Sequence, residues 1–208
     1  MSFAQKERQR LGELLLEVGP EAPTLNGGWV TRDLAAHLLI RERKPWAAPG
    51  MFVSPLEPIL DREMDKQKAR DYDAVVKEWM SGPPALLKPV DAAMNTAEHF
   101  IHHEDVRRGG GVVEPREFSQ AVNKQLLEWA KRFGTLAFRS SDVPVVLTPP
   151  NLPPVTLGGK KGVAERGDDV IRVSGEPGEL LIWVSGRDAA KVEITGNTAA
   201  AEQLSRGV

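Results

Sequence analysis

The chain has no cysteine, a single tyrosine and only four histidines among its 208 residues. Without cysteine there is no disulfide, no thiolate metal ligand and no protein thiol nucleophile, so sulfur chemistry would need a thiol from outside. An excess of charge of one sign is also missing. Lys and Arg number 27 against 29 Asp and Glu, a net charge of −2, which argues against nucleic acid as a partner. No apolar run approaches the roughly 20 residues that span a bilayer, so no membrane association is expected. The N-terminus, MSFAQKERQRLGELLLEVG, lacks the basic-then-apolar order of a signal peptide, and a cytoplasmic protein is the expectation. There is no Gly-x-Ser-x-Gly elbow, and LGGKKG at 157–162 lacks the spacing and the Lys-Ser/Thr ending of a phosphate loop.

What is present reads as helices for the first two-thirds. Phe3, Leu11, Leu14, Leu15 and Val18 fit one helical stripe that Gly19-Pro20 ends. TRDLAAHLLIRER follows, with Thr31 as the expected N-cap, Asp33 in the first turn and Pro45 as the stop. A proline-interrupted stretch, KPWAAPGMFVSPLEP, precedes ILDREMDKQKARDYDAVVKEWMSG, helical in one or two pieces. A helix from about Pro84 to Arg108 ends at three glycines, and REFSQAVNKQLLEWAKRFG completes the set. Helices in this order suggest an antiparallel bundle over residues 1–140 with cofactor space between facing helices. From 141 to 208 the texture changes. DDVIRVSG and KVEITG alternate as strands, and LLIWV between them reads as helix because Pro177 precedes it and Gly186 follows. NTAAAEQLSRG reads as a short closing helix. The predicted class is α+β in two domains.

Three of the four histidines, His99, His102 and His103, crowd beside Glu98, Glu104 and Asp105. At about 100° per residue, Val90, Met94, Ala97 and Ile101 form the stripe expected to face the core. Glu98 and Asp105 flank that stripe and His102 lies at its edge, whereas His99 and His103 are expected to point to solvent. Glu104 falls on the stripe's other flank. Glu98 and His102, at i,i+4, share a helix face and can share one ion. His37, three residues after Leu34 and one before Leu38, borders a buried stripe and is the remaining histidine. His37, Glu98 and His102 would leave a fourth position open, as catalytic zinc does, and the set also suits Fe2+. Asp105, one turn beyond His102, is placed to orient the imidazole. The competing reading is a hydrogen-bonded polar face with no ion, and the wheel alone leaves both open.

PTLNGGWVTRDLAAHLLIRERKP together with NTAEHFIHHEDVRR resembles the actinobacterial metal-binding proteins related to mycothiol-dependent maleylpyruvate isomerase, which belong with the DinB-like four-helix-bundle proteins. The resemblance covers about residues 5–135 and implies His37, Glu98 and His102 as metal ligands. GEPGELLIWVSGR followed by VEITG is similar to that family's sterol carrier-like second domain, which contributes an arginine near the active site; the matching position is Arg187. What the resemblance implies is a divalent metal, Zn2+ first with Fe2+ or Ni2+ as alternatives, and mycothiol as co-substrate. The expected partners are therefore a small electrophile and a low-molecular-weight thiol, acting on a monomer or a homodimer. Two other functions fit the same residues: a small-molecule or lipid binder with a structural metal, and a metal-dependent hydrolase.

Overall fold

Ser2 starts the first helix by accepting from Gln5 N while the Gln5 side chain returns to Ser2 N, a reciprocal cap on α1 (Phe3–Val18). In the computed structural model, which describes residues 1–85, 91–159 and 169–207, the chain is a mixture of helix and sheet. After α1 come α2 (Thr31–Arg43), two 3-10 turns (Ala48–Met51 and Ser54–Leu56), α3 (Glu57–Lys68), α4 (Tyr72–Met80) and α5 (Asp91–Gly109). Then follow α6 (Gln120–Ala137), β1 (Val145–Thr148), β2 (Val155–Leu157), β3 (Ile171–Ser174), α7 (Pro177–Val184), β4 (Glu193–Gly196) and α8 (Thr198–Glu202). No helix among the described residues is long and apolar enough to cross a membrane. Val90, Lys160 and Lys161 of the sequence analysis lie outside the described residues, as does the side chain of Met94.

The chain divides into two compact units, Met1–Val112 and Val113–Val208. In the first, Leu11 and Leu15 of α1, Leu34, Leu38 and Leu39 of α2, and Val75, Val76 and Trp79 of α4 share one core with Val106 of α5. The cap of α2 differs from expectation: Val30 is the N-cap and its N–H donates to Asp33 Oδ2 at 3.0 Å. Thr31 sits inside the first turn, its hydroxyl turned back to the Gly19 carbonyl.

α5 is the unusual element. Asn95, Thr96, Ala97, His99, Phe100, Ile101, His102, His103, Glu104, Asp105, Val106 and Arg108 are all buried, so from Asn95 to Arg108 the helix has almost no solvent side. His99 and His103, expected on the outside, are 0% and 6% exposed. α1 covers them: His99 Nδ1 donates to the Ala4 carbonyl at 2.9 Å, and His103 Nδ1 meets Glu7 Oε2 at 2.9 Å. The wheel misassigned them because it equated polar with exposed, whereas both of these buried rings have partners. Arg108 is likewise buried, held 2.6 Å from Glu104.

The second unit holds α6, which packs on α7 and β2 rather than completing the helical set of the first unit. Gly134 makes this approach close: a Cβ there would collide with Leu157. Every residue of α7 is buried, which is why LLIWV carries no periodicity. The sheet order is β2-β1-β3-β4, with β1 and β3 parallel and both edge pairs antiparallel.

Arg8, 3% exposed, donates to Glu42 Oε2 and Asp91 Oδ1, each at 2.7 Å, and to the Trp79 carbonyl at 3.1 Å. Replacing it by Met leaves two buried carboxylates without their counter-charge, with only the hydrogen bonds from Asn95, Trp79 and His99. Arg8→Met is expected to lower unfolding stability by about 3–5 kcal/mol, read from urea denaturation. A loss below about 1 kcal/mol would mean that the carboxylates regain water and the pairs do not hold the core.

Candidate metal centre

The geometry begins with α2. Leu34, Ala35, Leu38 and Leu39 turn its apolar face inward, which sets His37 and Arg41, one turn apart, at the edge of that face. Trp29, in the loop before the helix, meets the His37 ring edge-on at 5.3 Å between centroids. From α5, Glu98 and His102 project to the same place. The His37 and His102 rings are 5.2 Å apart, and His102 Nε2 is 3.4 Å from Glu98 Oε2.

His37, Glu98 and His102 each offer one ligand atom, and these atoms all lie within 4.8 Å of one another. Ligands of a tetrahedral zinc are about 3.3 Å apart, from bond lengths near 2.0–2.1 Å. One pair is already at that spacing, and side-chain rotation of at most about 1.5 Å closes the rest. Two imidazoles and a carboxylate suit Zn2+, Fe2+ or Ni2+, so the residues fit a divalent ion. The surroundings fit as well. Asp105, fully buried, accepts from His102 Nδ1 at 2.9 Å, which fixes the ring and reserves Nε2 for a ligand. Glu98 retains 26% side-chain exposure and Arg41 19%, so solvent reaches the ligand set from their side.

Electrostatics separates the two ring ligands. Burial, and next the neighbouring His102, push the His37 pKa down to about 3; its nitrogen lone pair is available at any ordinary pH. For His102 burial acts downward too, but hydrogen bonds to Asp105 and Glu98 outweigh it and raise the pKa to about 9. Burial would raise Glu98, yet the hydrogen bond from His102 and its charge, with the Arg41 guanidinium, bring it down to about 2.

Within the first unit, not every residue singled out in the sequence arrives here. Glu104 pairs with Arg107 at 2.9 Å and Arg108 at 2.6 Å, and His99 joins Glu42 and Ala4. Arg187 belongs to the second unit; its N–H donates to the Ile182 carbonyl and its Nη1 to the Ser185 carbonyl at 2.7 Å, holding the exit of α7. Arg41, not singled out in the sequence, is a member of the site: its Nε lies 3.4 Å from Glu98 Oε2 and its Nη1 donates to Asn95 Oδ1. Its spacing, four residues after His37, was the available signal. No protein-family profile, curated protein or solved structure matches the chain.

The pKa values fix a proton count for ion binding. His102 holds its extra proton up to about pH 9, while His37 and Glu98 have none to release above about pH 4. Uptake of Zn2+ near neutral pH should therefore expel about one proton, with affinity rising about tenfold per pH unit until about pH 9 and levelling above it. Calorimetry in buffers of different ionisation enthalpy measures this directly. Uptake without proton release would remove His102 from the ligand set.

Proposed function

We propose that the chain holds one divalent ion, Zn2+ in the first instance, on His37, Glu98 and His102, and uses it to carry out thiol-dependent transfer or isomerisation of a small electrophile. The observation that carries this reading is the convergence of the three ligand atoms within 4.8 Å, beside the His102–Asp105 hydrogen bond. The resemblance of the two ligand-bearing helices to proteins related to mycothiol-dependent maleylpyruvate isomerase supports the choice of a thiol, with mycothiol as the type. An ion held there would supply Lewis acidity that favours the thiolate form of the co-substrate.

The chain's own residues have defined tasks in this scheme. His37 brings a neutral nitrogen, Glu98 an anionic oxygen, and Asp105 keeps His102 in the tautomer whose Nε2 faces the ligand set. The chain has no cysteine, so the nucleophilic sulfur comes with the co-substrate. The thiol gives its proton to solvent, and its sulfur adds to a carbon–carbon double bond of the electrophile as that π bond breaks. Transfer then protonates the neighbouring carbon and keeps the carbon–sulfur bond, whereas isomerisation rotates about the new single bond and re-forms the double bond as the thiolate leaves.

A second reading draws on the second unit, where a cavity of about 430 Å³ is lined by Trp183, Val192, Ile194 and Leu204 among others. Asp188, Glu202 and Arg206 share that wall, so the lining suits a small molecule with an apolar body and a polar end, and in this reading the chain is a binder whose metal is structural.

The deciding experiment is metal analysis of the purified protein beside His37→Ala and Glu98→Ala, followed by thiol-consumption assays with an electrophile. About one equivalent of metal in the wild type, lost in both variants, with turnover that needs both metal and thiol, is the expected result. Metal retained by the variants would refute the ligand set. Turnover without thiol would instead identify a hydrolase, and a retained apolar ligand with no turnover would favour the binder.

A further inference from the structure

Arg41 is an awkward neighbour for a cation site. A guanidinium 3.4 Å from a ligand carboxylate repels any dication that carboxylate would bind. Its position is nonetheless built into the fold. Arg41 Nη1 donates to Asn95 Oδ1, Asn95 Nδ2 donates 2.8 Å to Asp91 Oδ1, and Asp91 in turn accepts from Arg8. Asn95 and Asp91 are buried, so the chain that holds Arg41 runs through the interior rather than across the surface.

Formal charge suggests what the arrangement achieves. The two positive charges of a bound divalent ion are matched by the Glu98 and Asp105 carboxylates, and the two imidazoles bring none. Asp91, the next carboxylate along the chain of bonds, is turned toward Arg8. Counted over the described ion pairs, Arg41 therefore leaves the loaded site with one positive charge in excess, on the side where Glu98 and Arg41 remain partly exposed. We propose that Arg41 is a specificity-determining residue: it weakens ion binding and in exchange makes the ion's open position select an anionic ligand, a thiolate or carboxylate, over a neutral one. This rests on the metal reading above and adds the charge class of what binds there.

Opposite signs make the proposal testable. Removing Arg41 lifts a repulsion on the ion and removes an attraction on the anion. Glu98 keeps its contact with His102, so its carboxylate is not left without a partner. A unit charge a few ångströms away in a half-buried site changes either equilibrium by about tenfold or more.

The experiment loads the full-length protein with Co2+, whose visible absorption reports its ligands, and titrates azide as the anion probe. Arg41→Gln is expected to bind Co2+ about tenfold tighter and azide about tenfold weaker than wild type. Arg41→Lys keeps the charge and should hold azide affinity within about threefold. Arg43→Gln, whose native guanidinium donates to Ser81 and Gly82, removes a charge from the same helix end and should leave both affinities as they are. A purely structural Arg41 would change both affinities in the same direction or neither, and that result overturns the proposal. So does an Arg43→Gln that behaves like Arg41→Gln, because the effect would then belong to the helix end. Failure of the wild type to take up Co2+ overturns the metal reading and this inference together, whereas uptake with unchanged Arg41 variants overturns the inference alone.

Discussion

The pairing of Arg8 with Glu42 and Asp91 is the interaction on which the first unit depends. One guanidinium joins α1 to a carboxylate of α2 and another of α5, and through its bond to the Trp79 carbonyl it also reaches α4. A charge taken out of water is tolerable only when its partner lies within hydrogen-bond reach, and here four helices must keep their mutual placement for that to hold. Glu42 shows the balance: burial would raise its pKa, but hydrogen bonding from His99 and the charge of Arg8 bring it below the usual carboxylate range. Hydrophobic contact supplies most of the attraction in such a core but is indifferent to small rotations. The ion pairs are not indifferent, because a helix turned by one residue would leave Arg8 facing nothing.

That rotational constraint places the ligands. His99 and His103 are bound to Ala4 and Glu7 of α1, which fixes the face that α5 gives to α1. Glu98 and His102 lie one residue earlier on the wheel, about 100° away, and are thereby turned to the edge of α2 where His37 waits. The structural histidines are what aim His102, the candidate ligand, at His37. Burying them costs desolvation that only partners can offset, so the aim is energetically specified rather than incidental.

Some of this was legible in the chain and some was not, for identifiable reasons. That His37, Glu98 and His102 come together could be anticipated because i,i+4 spacing on one helix is a geometric statement and only one histidine lay elsewhere. The helical reading of LLIWV followed from local signals at its ends, Pro177 and Gly186, which act irrespective of tertiary context. His99 and His103 could not be assigned because their burial depends on Glu7, Glu42 and Ala4, residues 57 to 96 positions away. No periodicity reports a partner that distant. The placement of α6 was missed for a related reason: an amphipathic stripe shows that a helix has a face to bury, and Gly134 against Leu157 is what shows where it is buried.

The four histidines also separate by the kind of partner they have. His99 and His103 each face acceptor oxygens in the interior, and a ring so satisfied has little to offer a ligand. His102 gives one nitrogen to Asp105 and turns the other toward Glu98. His37 is held by ring contacts with Trp29 and His102, and burial keeps it neutral with its lone pair intact. Two imidazoles 5.2 Å apart oppose each other's protonation, so the pair cannot be satisfied by two protons. A shared dication would satisfy both rings and the Glu98 carboxylate at once. That conflict over protons, more than histidine content or spacing, is what sets this candidate ligand group apart from the buried polar pairs around it.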